Sequence, residues 1–471
     1  MNEFEIKTQA GILHYNMKWL DDDKGREKKR AFLKSVWLQA CAFLYTNRVH
    51  PEEIYWSYPG SMMTSDRDEL EGIFEDLCKI TPFGRKPELA NKLFTEAEAV
   101  CSYAMSQEFG LNSNNMFLGI DVGGSTSDIL LIAKNPQNNN KYSLFRESSV
   151  RLAAGVFFDA VKKSEQYRQA LVDFHEGRDT AVYVENIKEI IDHPDKAPYY
   201  LNSIFDQLKD QSDYDAFYAS LSSNAKFVFT IPAYVCGLLL FYSGMLIGKT
   251  IKLNRLGDID RVELMPFGKG GRLFHWLRHA SSTRTTNEYY NNCVNAGLQL
   301  IIPDKTVSVK YHEEIENDNK TEVARGLCEN NELAIVDGLN DCDICGETGV
   351  RFIKDGNTVS IAPDDEISGE HFSDDMSYFD FSCVQNFEKF MDIFIKFVSK
   401  DTKLYQRAED SLREEISELP TRIISFCTND QEYKKAARNN RNGEGFHYHQ
   451  PIIIAEGACF LKSLISKVFN Q

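Results

Sequence analysis

The chain of 471 residues is 42% apolar and 26% charged, with a formal net charge of −17. That length and composition supply cores for two or three domains and exclude wholesale disorder. The acidic balance argues against a nucleic-acid binder, which requires a basic surface for the phosphates.

The opening residues Met1-Asn2-Glu3-Phe4-Glu5-Ile6 have neither the basic start nor the apolar core of a signal peptide. Eleven cysteines, an odd number scattered among apolar neighbours, suit reduced thiols and a cytoplasmic location. Residues 1 to about 50 read as hairpin-like strand material and then a helix from Lys29 to Asn47. "EEIYWSYPGSMM" (52–63) predicts a strand ending in a Pro-Gly turn, and "RDELEGIFEDLCKI" a helix. "TEAEAVCSYAMSQEFG" (95–110) predicts a second helix stopped by Gly110. "FLGIDVGGSTSDILLIAK" (117–134) then sets two apolar strands around a cluster of Gly, Ser, Thr and Asp. "KNPQNNNKYS" turns the chain into another strand, "SLFRESSV", and helix-rich segments continue to about residue 224.

From Phe227 to Ile247 the chain runs 21 residues without a charge, long enough to cross a bilayer. Pro232 divides this run into a short strand and a helix of about 15 residues beginning near Ala233, too short to span. A buried strand–helix unit is therefore expected, with no membrane span. Residues 257–281 return to strand, glycine loop and helix, and 283–318 read as an insertion with its own strands, "LQLIIP" and "TVSVKYH". Residues 340–368 resemble a β-hairpin insertion, and from Asp374 onward the chain reads as largely helical.

The chemistry concentrates at Asp121-Val122-Gly123-Gly124-Ser125-Thr126-Ser127-Asp128. Glycines let backbone N–H groups approach an anion. Ser125 and Thr126 offer hydrogen bonds to phosphate oxygens, and Asp121 and Asp128 offer hard oxygen ligands for Mg²⁺. A plain Gly-rich hairpin is the competing reading; the two aspartates framing the turn weigh against it. Elsewhere, Cys342-Asp343-Ile344-Cys345 forms a C-x-x-C turn without a second knuckle, so reduced thiols are expected over zinc. His447 and His449 in a basic loop read as solvated surface.

D-x-G-G-x-T-x-D between apolar strands resembles the second phosphate loop of the actin, sugar-kinase and heat-shock-chaperone ATPase superfamily. "TEAEAVCSYA" resembles the first connecting helix of that superfamily, and the match gives Glu96 the role of orienting the attacking water. "VRLAAGVFFDAVKK" resembles the small-residue segment after the loop, with Ala153, Ala154 and Gly155 in the small positions, followed by Asp159. "VELMPFGKGGRLFHWLRHA" resembles the adenosine loop, implying that Gly268, Gly270 and Gly271 let the base lie close while Arg272 stacks on it. "KTEVARGLCEN" resembles the second connecting helix, with Ala324 and Gly326 allowing close packing.

The resemblance implies a two-lobed, actin-like (ribonuclease H-like) α/β ATPase fold binding ATP and Mg²⁺. No G-x-D-x-G-[ST] precedes residue 117, so relative to the family the fold reads as N-terminally incomplete. Its expected parts are a partial first lobe with the first connecting helix (1–115), a second lobe (116–339), a β-rich insertion (340–373) and a helical region (374–471). The implied activity is Mg-dependent ATP hydrolysis that opens and closes the lobes toward a protein partner. The alternatives are a filament-forming actin-like protein, a nucleotide-binding scaffold without hydrolysis, and a small-molecule kinase. Expected partners are thus a nucleotide and either another protein or further copies of the chain, with no nucleic acid.

Overall fold

A computed structural model describes residues 23–58, 62, 64–90, 94–106, 114–124, 126–137, 141–161, 164–176, 211–221, 223–256, 258–312, 321–329, 334–335, 343–354, 357–367, 379–381, 384–400, 416–419, 422 and 451–469. The chain divides into two compact units: one holds Met62–Phe94 with the residues up to Tyr58, the other runs from Thr95 to Gln471. In the first, helices α1 (Asp23–Thr46) and α2 (Thr64–Lys79) accompany the short strands β1 (Glu53–Ile54), β2 (Ser57–Tyr58) and β3 (Glu88–Leu89). β1 pairs with β3 in parallel. Its core gathers Trp56, Met62, Leu70, Ile73 and Leu77, with Leu33 and Trp37 of α1 packed on it. The expected helix over Lys29–Asn47 is present as α1, which begins six residues earlier, so residues 23–28 are helix rather than strand material; residues 1–22 lie outside the described residues. The strand expected over 52–58 is broken at Tyr55-Trp56 into β1 and β2.

The second unit begins within β4 (Phe94–Thr95) and is built on a six-stranded sheet of order β10-β7-β6-β5-β8-β9. β5 (Asn115–Val122), β6 (Ser127–Asn135) and β7 (Lys141–Val150) form an antiparallel meander. β8 (Arg261–Phe267) lies parallel to β5, β9 (Ser308–Tyr311) parallel to β8, and β10 (Ala334–Ile335) parallel to β7. β5 and β6 are apolar on both faces, as a sheet covered on both sides requires. One face carries Phe117, Leu130, Ile132, Leu144, Met265 and Phe267, packed under Ala97, Val100, Cys101, Tyr103 and Ala104 of α3 (Glu96–Ser106). α3 was expected with the first segment but lies inside the sheet-bearing unit. It ends at Ser106, and Gly110 lies outside the described residues. α10 (Glu322–Cys328; helices are numbered in chain order) crosses α3 so closely that a Cβ on Gly326 would stand 1.7 Å from the carbonyl oxygen of Ala99.

Among the described residues the longer helices of this unit also include α4 (Gly155–Val161), α5 (Glu165–Glu176), α6 (Gln211–Ser220), α7 (Thr230–Asn254), α8 (Arg272–Ala280), α9 (Thr283–Ile301), α11 (Gln385–Lys400) and α12 (Ile452–Phe469), with a four-residue turn of helix at Ser223–Lys226. Two expectations change here. No strand precedes Pro232: a 3₁₀ turn at Phe227–Phe229 leads directly into α7, 25 residues long. Pro232 sits in the first turn, where an N–H has no helical acceptor, so it does not stop the helix. The segment is therefore long and apolar enough to cross a membrane, yet its whole apolar window is buried within the fold. Secondly, "LQLIIP" is not a strand but the end of α9, and "TVSVKYH" contributes β9 to the main sheet instead of an insertion. α9 runs beside α7, where Gly244 approaches Val294 and Gly297 approaches Phe241 too closely for a Cβ.

β11 (Val350–Lys354) and β12 (Asn357–Ile361) form the expected hairpin, extended on the other side of β11 by β13 (Phe379–Phe381). In the C-terminal region, α11 and α12 agree with the helical reading, and His447 and His449 lie outside the described residues.

Candidate functional site

Asp121 closes β5 and Asp128 opens β6, and the ladder sets them directly opposite one another. Side chains alternate between faces along a strand. Both carboxylates therefore fall on the face bearing Phe117, Leu130 and α3. Two like charges on opposed residues, with Cβ atoms about 4.5–5.5 Å apart, repel unless a cation or hydrogen-bond donors intervene. Asp128 is 4% exposed, while Asp121 is half-buried. The turn between them closes through the Gly123 N–H, which donates to the Thr126 carbonyl at 2.9 Å. Ser125 lies outside the described residues, and Thr126 is half-buried. Ser127 faces the other way, buried, its hydroxyl donating to the Leu152 carbonyl at 2.5 Å, so it braces the turn.

Two more segments meet this turn. The N–H groups of Ala154 and Gly155, at the start of α4, donate to the carbonyls of Gly123 and Gly124 at 3.1 and 3.0 Å. A Cβ on Gly155 would stand 2.3 Å from the Gly124 oxygen, so the small residues of 153–155 permit this approach. The glycine turn 268–271 follows β8, whose last residue, Phe267, is paired with Asp121. Gly268 has φ +66°, and a Cβ there would lie 2.1 Å from Asp121 Oδ1. At Gly270 a Cβ would meet the Val122 carbonyl at 2.4 Å and Ala154 Cβ at 2.7 Å. Thus the close approach that Gly268 and Gly270 allow is to the loop itself, whereas Gly271 is seated on Pro266. Gly124 alone of the loop glycines has its Cβ direction open, with nothing within 4 Å. Arg272 begins α8 and is half-buried.

Glu96 is the half-buried first residue of α3, and its neighbour Thr95 is tied to the sheet. Thr95 and Glu98 form a reciprocal cap at the start of α3: the Thr95 N–H donates to Glu98 Oε2 at 2.8 Å, and the Glu98 N–H donates to Thr95 Oγ1 at 2.9 Å. The Thr95 hydroxyl also donates to Glu147 Oε2 at 3.1 Å. Glu147 is buried on β7 opposite Leu130, so it shares the face of Asp128 and stands two rungs, about 7 Å, along the ladder from it. The sequence reading missed both Thr95 and Glu147; the signal available for the cap was Thr95-x-x-Glu98 ahead of an apolar run. Burial, together with the nearby Glu147 and Glu98 charges, pushes the Cys101 thiol well above its ordinary range. The side chain of Asp159 lies outside the described residues.

Among the described residues no three His, Cys, Asp or Glu side chains are placed to hold a metal ion. Cys342 lies outside the described residues. Cys345 is fully buried and donates its thiol to the Glu347 carbonyl at 3.5 Å, and burial raises it far above the usual thiol range. That disfavours the thiolate zinc requires. An open groove of about 780 Å³ lined by Thr283, Arg284, Asn287, Glu288, Asn291 and Asn292 shares no residue with the three turns. No protein-family model and no curated protein matches the sequence.

Proposed function

We propose that the meeting point of the 121–128 turn, the start of α4 and the 268–272 turn binds the phosphates of Mg·ATP, and that the sheet-bearing unit is an actin-like ATPase lobe. The observation that carries this reading is the convergence of three glycine- or alanine-bearing turns beyond the carboxyl ends of the parallel neighbours β5 and β8. In open α/β sheets, ligands bind outside the carboxyl ends of the strands. The strand order β7-β6-β5-β8-β9, an antiparallel meander continued by two parallel strands, supports the actin-like fold. The close crossing of α3 and α10 at Gly326, both expected as connecting helices, also supports it.

The donor set fits Mg²⁺, which keeps several waters and takes one or two carboxylates beside phosphate oxygens. Asp121 and Asp128, opposed on one face, would hold the hydrated ion and would have their mutual repulsion relieved by it. Bound Mg·ATP supplies the phosphoanhydride and the charge that neutralises it. The chain itself supplies position: Thr126 and the open face of Gly124 meet the phosphate oxygens, and Arg272 faces the base. Glu96, carried on the Thr95–Glu147 tie, orients a water. Isothermal titration with Mg·ATP tests the reading. The wild-type chain binds, and Asp121→Ala weakens binding by about tenfold or more with an unchanged circular dichroism spectrum. A wild-type chain that takes up no Mg·ATP overturns it.

A further inference from the structure

Among the described residues β9 ends the six-stranded sheet, and one of its edges has no neighbouring strand. An unpaired edge of this kind templates pairing with another chain. The Ser308 and His312 N–H groups donate inward, to the carbonyls of Asp260 and Leu264, at 2.8 Å each. The odd-numbered residues between and beside them therefore direct their N–H and C=O groups outward. Two of these are met by asparagine side chains of α9. The Val307 N–H donates to Asn295 Oδ1 at 2.7 Å, and Asn295 Nδ2 returns a bond to the Val307 carbonyl at 2.9 Å. The Val309 N–H likewise donates to Asn291 Oδ1 at 2.8 Å, with Asn291 Nδ2 donating to the Val309 carbonyl at 3.5 Å. Each amide also donates back to its own helix, Asn295 to the Asn291 carbonyl and Asn291 to the Asn287 carbonyl, at 2.8 Å.

The primary amide of asparagine presents one acceptor and two donors; with one donor returned to the helix, the remaining acceptor and donor match the C=O and N–H that an adjacent strand would offer. The spacing matches as well. Four helical residues rise about 6.0 Å and two strand residues about 6.6 Å, so an i, i+4 pair of asparagines meets alternate strand residues. The mismatch of about 0.6 Å per step accumulates, which limits such a ladder to a few rungs. It runs out here at Asn287, whose Oδ1 is shielded from solvent without a hydrogen-bond partner.

We propose that Asn291 and Asn295 serve as a surrogate strand that closes the β9 edge and prevents a second copy of this chain from pairing with it. Among the described residues the opposite edge is β10, Ala334–Ile335. The double variant Asn291→Ala/Asn295→Ala, compared with the wild type by light scattering across a hundredfold concentration range, tests this. The variant is expected to self-associate more strongly than the wild type, with added intermolecular β signal in the infrared amide I band. Adding Val309→Pro should abolish the gain, because proline removes an outward N–H without touching the bonds to β8. An intact double variant that associates no more than the wild type overturns the proposal, as does association that survives Val309→Pro. If the double variant does not fold, Asn295→Ala alone carries the test by hydrogen exchange. The Val307 amide should then exchange at least tenfold faster while Val309 is unchanged, and equal protection in variant and wild type overturns the assignment.

Discussion

At the scale of single residues, Gly124 and Gly268 separate a packing requirement from a binding one. Gly268 combines a left-handed φ of +66° with Asp121 Oδ1 at 2.1 Å from any added Cβ. Gly268→Ala should therefore cost about 1–3 kcal/mol of stability in urea denaturation, from backbone strain and overpacking together. Gly124 has nothing within 4 Å of its Cβ direction. Gly124→Ala should leave the urea midpoint nearly unchanged and yet weaken Mg·ATP, since the new methyl occupies the open face of the loop. A variant that loses stability without affecting binding would make the 123–126 turn a plain hairpin. The buried Glu347 carboxylate caps the start of α11, accepting from the N–H groups of Asn386 and Phe387 at 3.0 and 2.9 Å. Burial outweighs these bonds and raises its pKa above the ordinary 4.5. The folded chain thus retains a proton that the unfolded chain releases. Stability from this group is complete below the unfolded value and is lost as pH rises through the folded one. Glu347→Gln, which cannot ionise, should flatten that part of the melting-temperature profile, which lies above the ordinary carboxylate value of 4.5.

At the scale of elements, legibility followed how local each signal was. The meander β5-β6-β7, the β11–β12 hairpin and the β8–turn–α8 unit are contiguous, and apolar runs punctuated by glycine or asparagine revealed them. α9 escaped because "NEYYNNCVNAG" looks polar. Its buried positions Tyr289, Tyr290, Cys293, Val294, Gly297 and Leu298 nevertheless recur at helical spacing, and its asparagines face a strand edge that only the fold creates. The length of α7 escaped because proline usually ends a helix, though not in the first turn. Of the candidate site, the two turns could be read from glycines and aspartates, but the tie from α3 to β7 could not, being a contact between Thr95 and Glu147. That tie yields a prediction. Thr95→Val removes both the helix cap and the bond to Glu147, and should cost about 1–2 kcal/mol of stability. If Glu96 orients water, the same change should lower the rate of Mg·ATP hydrolysis more than the affinity for nucleotide.

At the scale of the whole molecule, every residue of the candidate site, Glu96 included, belongs to the unit that begins at Thr95. The preceding unit has its own core around Trp56, Leu70, Ile73 and Leu77. A ligand that binds only one folded unit stabilises that unit by mass action, about 2.7 kcal/mol at a hundredfold excess over its dissociation constant. Calorimetric melting of the full chain should therefore show two transitions, of which Mg·ATP raises one. Tryptophan fluorescence can assign them, because Trp276 is buried in the larger unit and packs against Phe157, whereas the other tryptophans all precede residue 57. In a Trp276→Phe variant, the fluorescence transition should track the smaller unit and stay in place when nucleotide is added, while the calorimetric peak of the larger unit moves. A single transition would mean that the units melt as one cooperative body, and two that rise together would mean that nucleotide binding is felt in both units.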